Sequence, residues 1–235
     1  MLRLTLHVLW IVFLTLLTQL GGLAWLAALV FRRRWLAFAT TYALLSGIAV
    51  IAAPQFGREP LPCVPREDRI AVASPLFCVL NRHYVSPEMA AVADDLAREV
   101  PGTRALDGNF PFVDGFPLLP HLSHDDGEKL DFAFYYDGPL PSLIGYFAFE
   151  DGPTDCPKRP GDLRWDLNLL QSLWRDSPLD ADRMRAALTH LSADPRVGRI
   201  LLEPHLKASL GLTSSKIRFQ GCHAARHDDH IHIQL

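Results

Sequence analysis

Ten histidines occur in the 235-residue chain, and six fall in two short stretches. The first stretch is His121-Leu-Ser-His124-Asp-Asp-Gly127-Glu-Lys-Leu-Asp131. The second, counting His223, ends in His227-Asp-Asp-His230-Ile-His232-Ile-Gln234. Imidazole nitrogens and carboxylate oxygens at this density are the donor set of zinc, and a catalytic zinc takes three protein ligands and leaves one position open. A lone His-x-His means little; two such clusters with carboxylates and a glycine point to a metal site. Read as a β-strand, the second stretch puts His230 and His232 on one face and Ile231 and Ile233 on the other, against a core. Two imidazoles about 7 Å apart along a strand do not both ligate one small ion unless the strand bends. One therefore takes the metal, and the other stands beside it to move a proton. His232 is the ligand on this reading, with His124 and Asp131 completing the set. The six residues between those two, Gly127 among them, suit a loop that supplies a first ligand, turns, and enters a strand carrying the second.

The elements that must position these residues follow from pattern. Leu130–Tyr136 reads as a strand stopped by Asp137-Gly-Pro139, and residues 229–234 as the final strand. Glu88–Glu99 is an amphipathic helix opened by Pro87 and closed by Pro101-Gly102. Thr103–Leu106 and Arg199–Glu203 are short strands, while Asp166–Arg175 and Asp180–Leu191 read as helices, with a short helix or turn over Pro204–Leu212. This is an α+β pattern, a short antiparallel sheet with helices to one side.

His124-x6-Asp131 followed by His-x2-His-x-His resembles the LAS metallopeptidases, zinc peptidases that include D-Ala-D-Ala dipeptidases and carboxypeptidases. The acidic pair inside His227-Asp-Asp-His230-Ile-His232 is most similar to the penicillin-insensitive murein endopeptidase branch. Lysostaphin-type endopeptidases use a shorter His-x3-Asp spacing, which this chain does not match. The resemblance spans roughly Tyr84 to Leu235, with Arg164-Trp165-Asp166-Leu167 similar to a family segment before a helix. It implies one Zn²⁺ per chain on His124, Asp131 and His232, with His230 and His227 as active-site histidines. His230 is then the general base, and His227 orients it or stabilises the oxyanion. Asp229, where dipeptidase relatives carry their catalytic carboxylate, is the rival base; a regular strand turns it away from His232. His121 is expected behind the ligands or at the surface. Lys129 departs from the family, which carries an acidic or small residue two positions before the ligand aspartate.

The first 56 residues contain four arginines and no acid. His7–Phe31 and Trp35–Ala53 carry no charged side chain, and each is long enough for a hydrocarbon core that needs about 20 residues. Residues 1–54 thus read as a transmembrane hairpin with spans at 7–31 and 35–53, and 55–83 as a proline-rich linker and lead-in to a domain over 84–235. Arg32-Arg33-Arg34 between the spans belongs on the cytoplasmic side, which puts both termini and the domain on the periplasmic or extracellular side of the inner membrane. Cys63, Cys78, Cys156 and Cys222 all follow the spans and suit two disulfides, in three possible pairings. Beyond residue 56 there are 19 basic and 26 acidic side chains, and no basic patch with interleaved aromatics. Nucleic-acid binding has no electrostatic support. The expected function is a membrane-anchored, zinc-dependent peptidoglycan endopeptidase acting on the stem peptide or crosslink. A D,D-carboxypeptidase or dipeptidase of the same superfamily and a non-cleaving, metal-binding wall scaffold are the alternatives.

Overall fold

The computed structural model describes residues 2–65, 69–156, 168–175, 177–223 and 226–235. Its first apolar stretch is not one helix. α1 (Leu2–Thr18) stops where Gln19 takes a positive φ of 63°, and the chain doubles back as α2 (Gly21–Ala28). The Thr18 hydroxyl accepts the Gly21 N–H at 2.8 Å, closing the turn. A Cβ on Gly22 would stand 2.6 Å from the Ile11 carbonyl oxygen, so glycine is what lets the two helices approach. α3 (Arg34–Ala52) follows and continues as a 3₁₀ turn, Ala53–Phe56. Arg34–Phe56 alone among the described residues is long and apolar enough to cross a membrane. This corrects the pair of spans at 7–31 and 35–53: hydropathy does not see a reversal made by Thr18-Gln19-Leu20-Gly21-Gly22.

Trp25 packs at a tilt against Trp35 with ring centres 4.7 Å apart and donates to His7 at 3.3 Å, while Trp10 meets both tryptophans edge-on. The N-terminal half of α1 therefore lies beside Arg32–Arg34. The opposite end of the bundle meets the globular part, where the Gln19 amide pairs with the Phe112 backbone at 2.7 and 3.1 Å.

The globular part begins with β1 (Glu59–Pro60), β2 (Ala71–Val72), α4 (Pro75–Val79), β3 (Tyr84–Val85) and α5 (Pro87–Glu99). It continues with β4 (Arg104–Ala105), β5 (Lys129–Ala133), α6 (Ala181–Ala193), β6 (Arg199–Leu201), α7 (Pro204–Ser209), β7 (Ile217–Arg218) and β8 (His230–Gln234). Residues 55–83 are more than a linker: β1 pairs with β3, and Leu61, Ile70, Val72 and Phe77 enter the main core. The main sheet runs β2-β4-β5-β8-β6-β7. It is mixed rather than antiparallel, because β2–β4 and β6–β7 are parallel pairs joined by helical crossovers.

Ser86 caps α5, accepting the Met89 N–H at 3.2 Å with Pro87 in the first turn, and Asp180 caps α6. The inner faces of α5 (Met89, Val92, Leu96) and α6 (Met184, Leu188, Leu191) share one core with Leu130, Phe132, Ile231 and Ile233. Each such side chain contributes about 1.5–3 kcal/mol by leaving water. Strand alternation then turns Asp131, His230 and His232 to the other face. β5 ends at Ala133, short of Tyr136, because its partner β8 begins opposite that residue. The expected helix 166–175 is a 3₁₀ segment, Asn168–Leu173, where it is described; Arg164–Leu167 lie outside the described residues.

The four cysteines form Cys63–Cys78 and Cys156–Cys222, closing loops of 15 and 66 residues. Chain entropy assigns these about 3 and 4 kcal/mol. Replacing Cys63 and Cys78 together with serine should lower unfolding stability by about 3 kcal/mol, as read by the urea midpoint of the detergent-solubilised chain. An unchanged midpoint would show that the bridge contributes nothing to stability.

Candidate metal centre

β5 and β8 are the central pair of the sheet, and their register sets Asp131 opposite His232 and Ala133 opposite His230. His124 arrives from the loop before β5. Gly127, at φ +85°, turns that loop into the strand; a Cβ there would stand 2.7 Å from the Arg58 guanidinium. The Gly127 N–H is held by the Asn109 side chain at 3.0 Å.

Three donor atoms converge. His124 Nε2 lies 3.0 Å from His232 Nδ1 and 3.3 Å from Asp131 Oδ1, and His232 Nδ1 lies 2.8 Å from the same oxygen. Donors around a tetrahedral zinc, at 2.0–2.1 Å from the ion, stand about 3.3 Å apart. The triangle is one face of such a tetrahedron, slightly contracted, and all three residues are buried.

The atom behind His124 leaves the right nitrogen bare. His124 donates from Nδ1 to the Gly108 carbonyl at 2.7 Å, so Nε2 is free for a cation. His232 Nε2 accepts from the Gln234 amide nitrogen at 3.0 Å, which leaves the ring proton on Nδ1 toward Asp131 Oδ1 at 2.8 Å. To hold a cation on Nδ1 the ring would shift that proton to Nε2, and Gln234 would turn its oxygen to accept it. Asp131 Oδ2 accepts from the Tyr146 hydroxyl at 2.6 Å, and that hydroxyl accepts the Asp107 N–H at 3.2 Å. Burial and the neighbouring carboxylates keep Tyr146 protonated and donating. Arg82 grips Asp107 with two hydrogen bonds of 2.6 and 2.7 Å and reaches the Leu119 carbonyl at 2.7 Å. The loop that carries the histidines is thereby tied to the network behind the ligand.

Electrostatics favour the deprotonated form, which a cation requires, at two of the three donors. Burial pushes the Asp131 carboxyl up, but His124, His230 and His121 around it hold it well below the usual range. Burial lowers His232 to about 4. For His124 the attraction of Asp131 outweighs burial and raises the ring.

His230 stands beside this triangle. Its Nδ1 is 2.5 Å from Asp229 Oδ1, and the other Asp229 oxygen accepts the Phe147 N–H at 2.6 Å. Phe147 holds φ at +69°, a strained conformation for a bulky residue, and it aims that N–H at the carboxylate. Burial lowers the His230 ring, but Asp131 and Asp229 outweigh it and raise the ring to about 9. Among the described residues His230 Nε2 is buried without a hydrogen-bond partner, 3.8 Å from Asp131 Oδ2. His227 is likewise buried with its Nδ1 unpaired, its ring centre 4.9 Å from that of His230. Unpaired buried nitrogens on two neighbouring histidines are groups kept ready for something other than the fold.

The structure thus brings together His124, Asp131, His232, His230, His227 and Asp229. Asp229 contacts His230 rather than His232. His121 is closer than expected: its Nδ1 is 3.3 Å from Asp131 Oδ2, making His121, Asp131 and His230 a second, wider donor group. Asp125 and Asp126 instead hold the Lys129 ammonium. Asp228 pairs with Arg226, and burial pushes its carboxyl up to about 7. Tyr146, Asp107, Arg82 and Gly108 went unread in the sequence, since no spacing links them to the motifs. Gln234 had a signal, two positions after His232 on the same strand face.

A cleft of about 560 Å³ opens over the site, with His121, His227, His230 and His232 among its lining residues. A cation-sized donor triangle, an adjacent histidine backed by a carboxylate, and a cleft above them suit hydrolysis of a polarised carbonyl. No family model matches the chain, and no curated protein matches it.

Proposed function

We propose that the protein is a membrane-anchored zinc peptidase of LAS type, similar to penicillin-insensitive murein endopeptidases, that hydrolyses a peptide bond in peptidoglycan stem peptides or crosslinks. The observation that carries this reading is the donor triangle of His124, Asp131 and His232 with His230 Nε2 unpaired beside it. Zinc in such a site supplies Lewis acidity, polarising a carbonyl and acidifying water. With a cation neutralising Asp131, the charge that does most to raise His230, the ring would be free to take a proton from the attacking water through Nε2 and hand it to the leaving amine, while Asp229 fixes the ring and stabilises its cation. His227 donates to the oxyanion that develops on the scissile carbonyl. Lys129, neutralised by Asp125 and Asp126, sets the loop that delivers His124 and takes no part in the reaction.

Purified peptidoglycan incubated with the zinc-loaded chain and then digested with a muramidase should yield uncrosslinked muropeptides in place of crosslinked ones, identified by mass. Free D-alanine or a D-Ala-D-Ala dipeptide as the product would assign a carboxypeptidase or dipeptidase. Zinc binding with no release from any wall peptide would leave a scaffold.

The placement in the membrane belongs to the same proposal. Arg3 and Arg32–Arg34 lie at one end of the helical bundle and the globular part meets the other. The positive-inside rule puts the arginine end in the cytoplasm and the domain outside. The N-terminus then sits with the arginines, not with the domain. A periplasm-dependent reporter fused after Pro54 should be active, whereas fusions after Arg34 or ahead of Met1 should be silent. An active reporter ahead of Met1 would restore a first helix that crosses the bilayer.

A further inference from the structure

α3 meets the globular part early along its length. The hydroxyl of Tyr42, eight residues past Arg34 and so about 12 Å along the helix, donates to the Val79 carbonyl at 2.6 Å. The Asn81 amide bonds the Tyr42 and Ser46 hydroxyls at 3.0 and 3.1 Å. Further on, Ala49 and Ala53 are buried against Tyr84. A hydrocarbon core about 30 Å thick entered at Arg34 extends well past Tyr42, to the level of α4. At that level Leu76 and Val79 of α4 are 45% and 58% exposed, and Leu122 before His124, which lines the same cleft as Leu76, is 62% exposed. Clustered aliphatic side chains turned outward mark contact with something apolar, and this patch is continuous with the α3 interface through Val79 and Asn81.

The same elements wall the cleft. Leu76, Phe77, Leu80 and Leu122 line it above the histidines. We infer that the cleft opens into the outer leaflet and takes a peptide carrying one linear acyl chain, the chain lying along Leu76 and Leu122 and the scissile bond at His230. At about 560 Å³ the cleft is of the size that holds a small ligand, one unbranched chain segment beside a few peptide residues. This rests on the peptidase reading and narrows its substrate to membrane-held peptides.

The test uses the full chain, zinc-loaded, in phosphatidylcholine vesicles. One D-Ala-containing peptide is offered untailed, N-palmitoylated, or linked to a polyprenyl chain. The palmitoylated form should be cleaved fastest, and Leu122→Glu should cut its rate relative to the untailed peptide by at least about 10-fold, through loss of one leucine's apolar contact. Leu76→Gln should act in the same direction. Tethering enzyme and peptide to one vesicle is common to wild type and variants, so it does not produce that change. A second arm is independent of turnover: the metal-free chain is photolysed with a palmitoyl peptide bearing a diazirine on its acyl chain, and labelled segments are mapped by mass. Label on Leu76–Leu80 and Leu118–Ser123 supports the inference. Label confined to α1–α3, or a rate ratio unmoved by Leu122→Glu, overturns it, as does faster cleavage of the polyprenyl form. Label in the cleft with no cleavage of any peptide overturns the peptidase reading and leaves the acyl site standing.

Discussion

His232→Ala is expected to strip the protein of its metal. The wild-type chain should purify with about one zinc, and the variant's affinity should fall by at least about 10²-fold. Zinc bound by structural peptides is worth roughly 10–16 kcal/mol, so a third of that, one ligand's share, exceeds the loss named. His124→Ala and Asp131→Ala should do the same. His121→Ala separates the two donor groups that share Asp131. It should keep the metal, because His121 approaches only the outer oxygen of Asp131, whereas His124 and His232 converge on the inner one. Metal content by atomic emission and competition with a chelating dye decide the matter. Zinc retained in His124→Ala but lost in His121→Ala would move the ion to the His121 side and make His230 a ligand.

The largest effect on turnover without loss of metal is expected at His230. His230→Ala should keep zinc and fold yet lose at least about 10²-fold in cleavage, the scale of a positioned general base. Asp229→Asn should cost less, about 10-fold, because that carboxylate works through the His230 ring and the Phe147 N–H. Abolition by Asp229→Asn with a mild His230→Ala would reverse the two roles.

The convergence of the three donors was legible because a strand has period two. Ile231 and Ile233 declare the core face of β8, which leaves His230 and His232 on the other, and a six-residue loop with a glycine is enough to return His124 to Asp131. The α5 helix was legible from Ser86, Pro87 and the apolar spacing that follows. What stands behind these donors was not. Tyr146, Asp107 and Arg82 reach Asp131 through tertiary contacts that leave no periodic trace, and a tyrosine between Gly145 and Phe147 looks like any buried aromatic. The break at Gln19 was hidden for a different reason: an antiparallel turn of Thr, Gln and Gly costs an apolar run little of its mean hydropathy. The parallel edges of the sheet depended on crossovers through α5 and α7 whose strands are only two or three residues long, too short to show their direction.

β8 follows every other strand in the chain yet lies between β5 and β6. Before it docks, β2-β4-β5 and β6-β7 share no ladder, and pairing Asp131 with His232 closes a loop of 101 residues. Pairings at such separation are slow to form, and their entropic cost grows with the loop. A cation gripped from both strands is a detachable cross-link over that loop. Chelation should therefore do more than silence the site: it should slow refolding, by leaving the middle of the sheet to be found by diffusion alone.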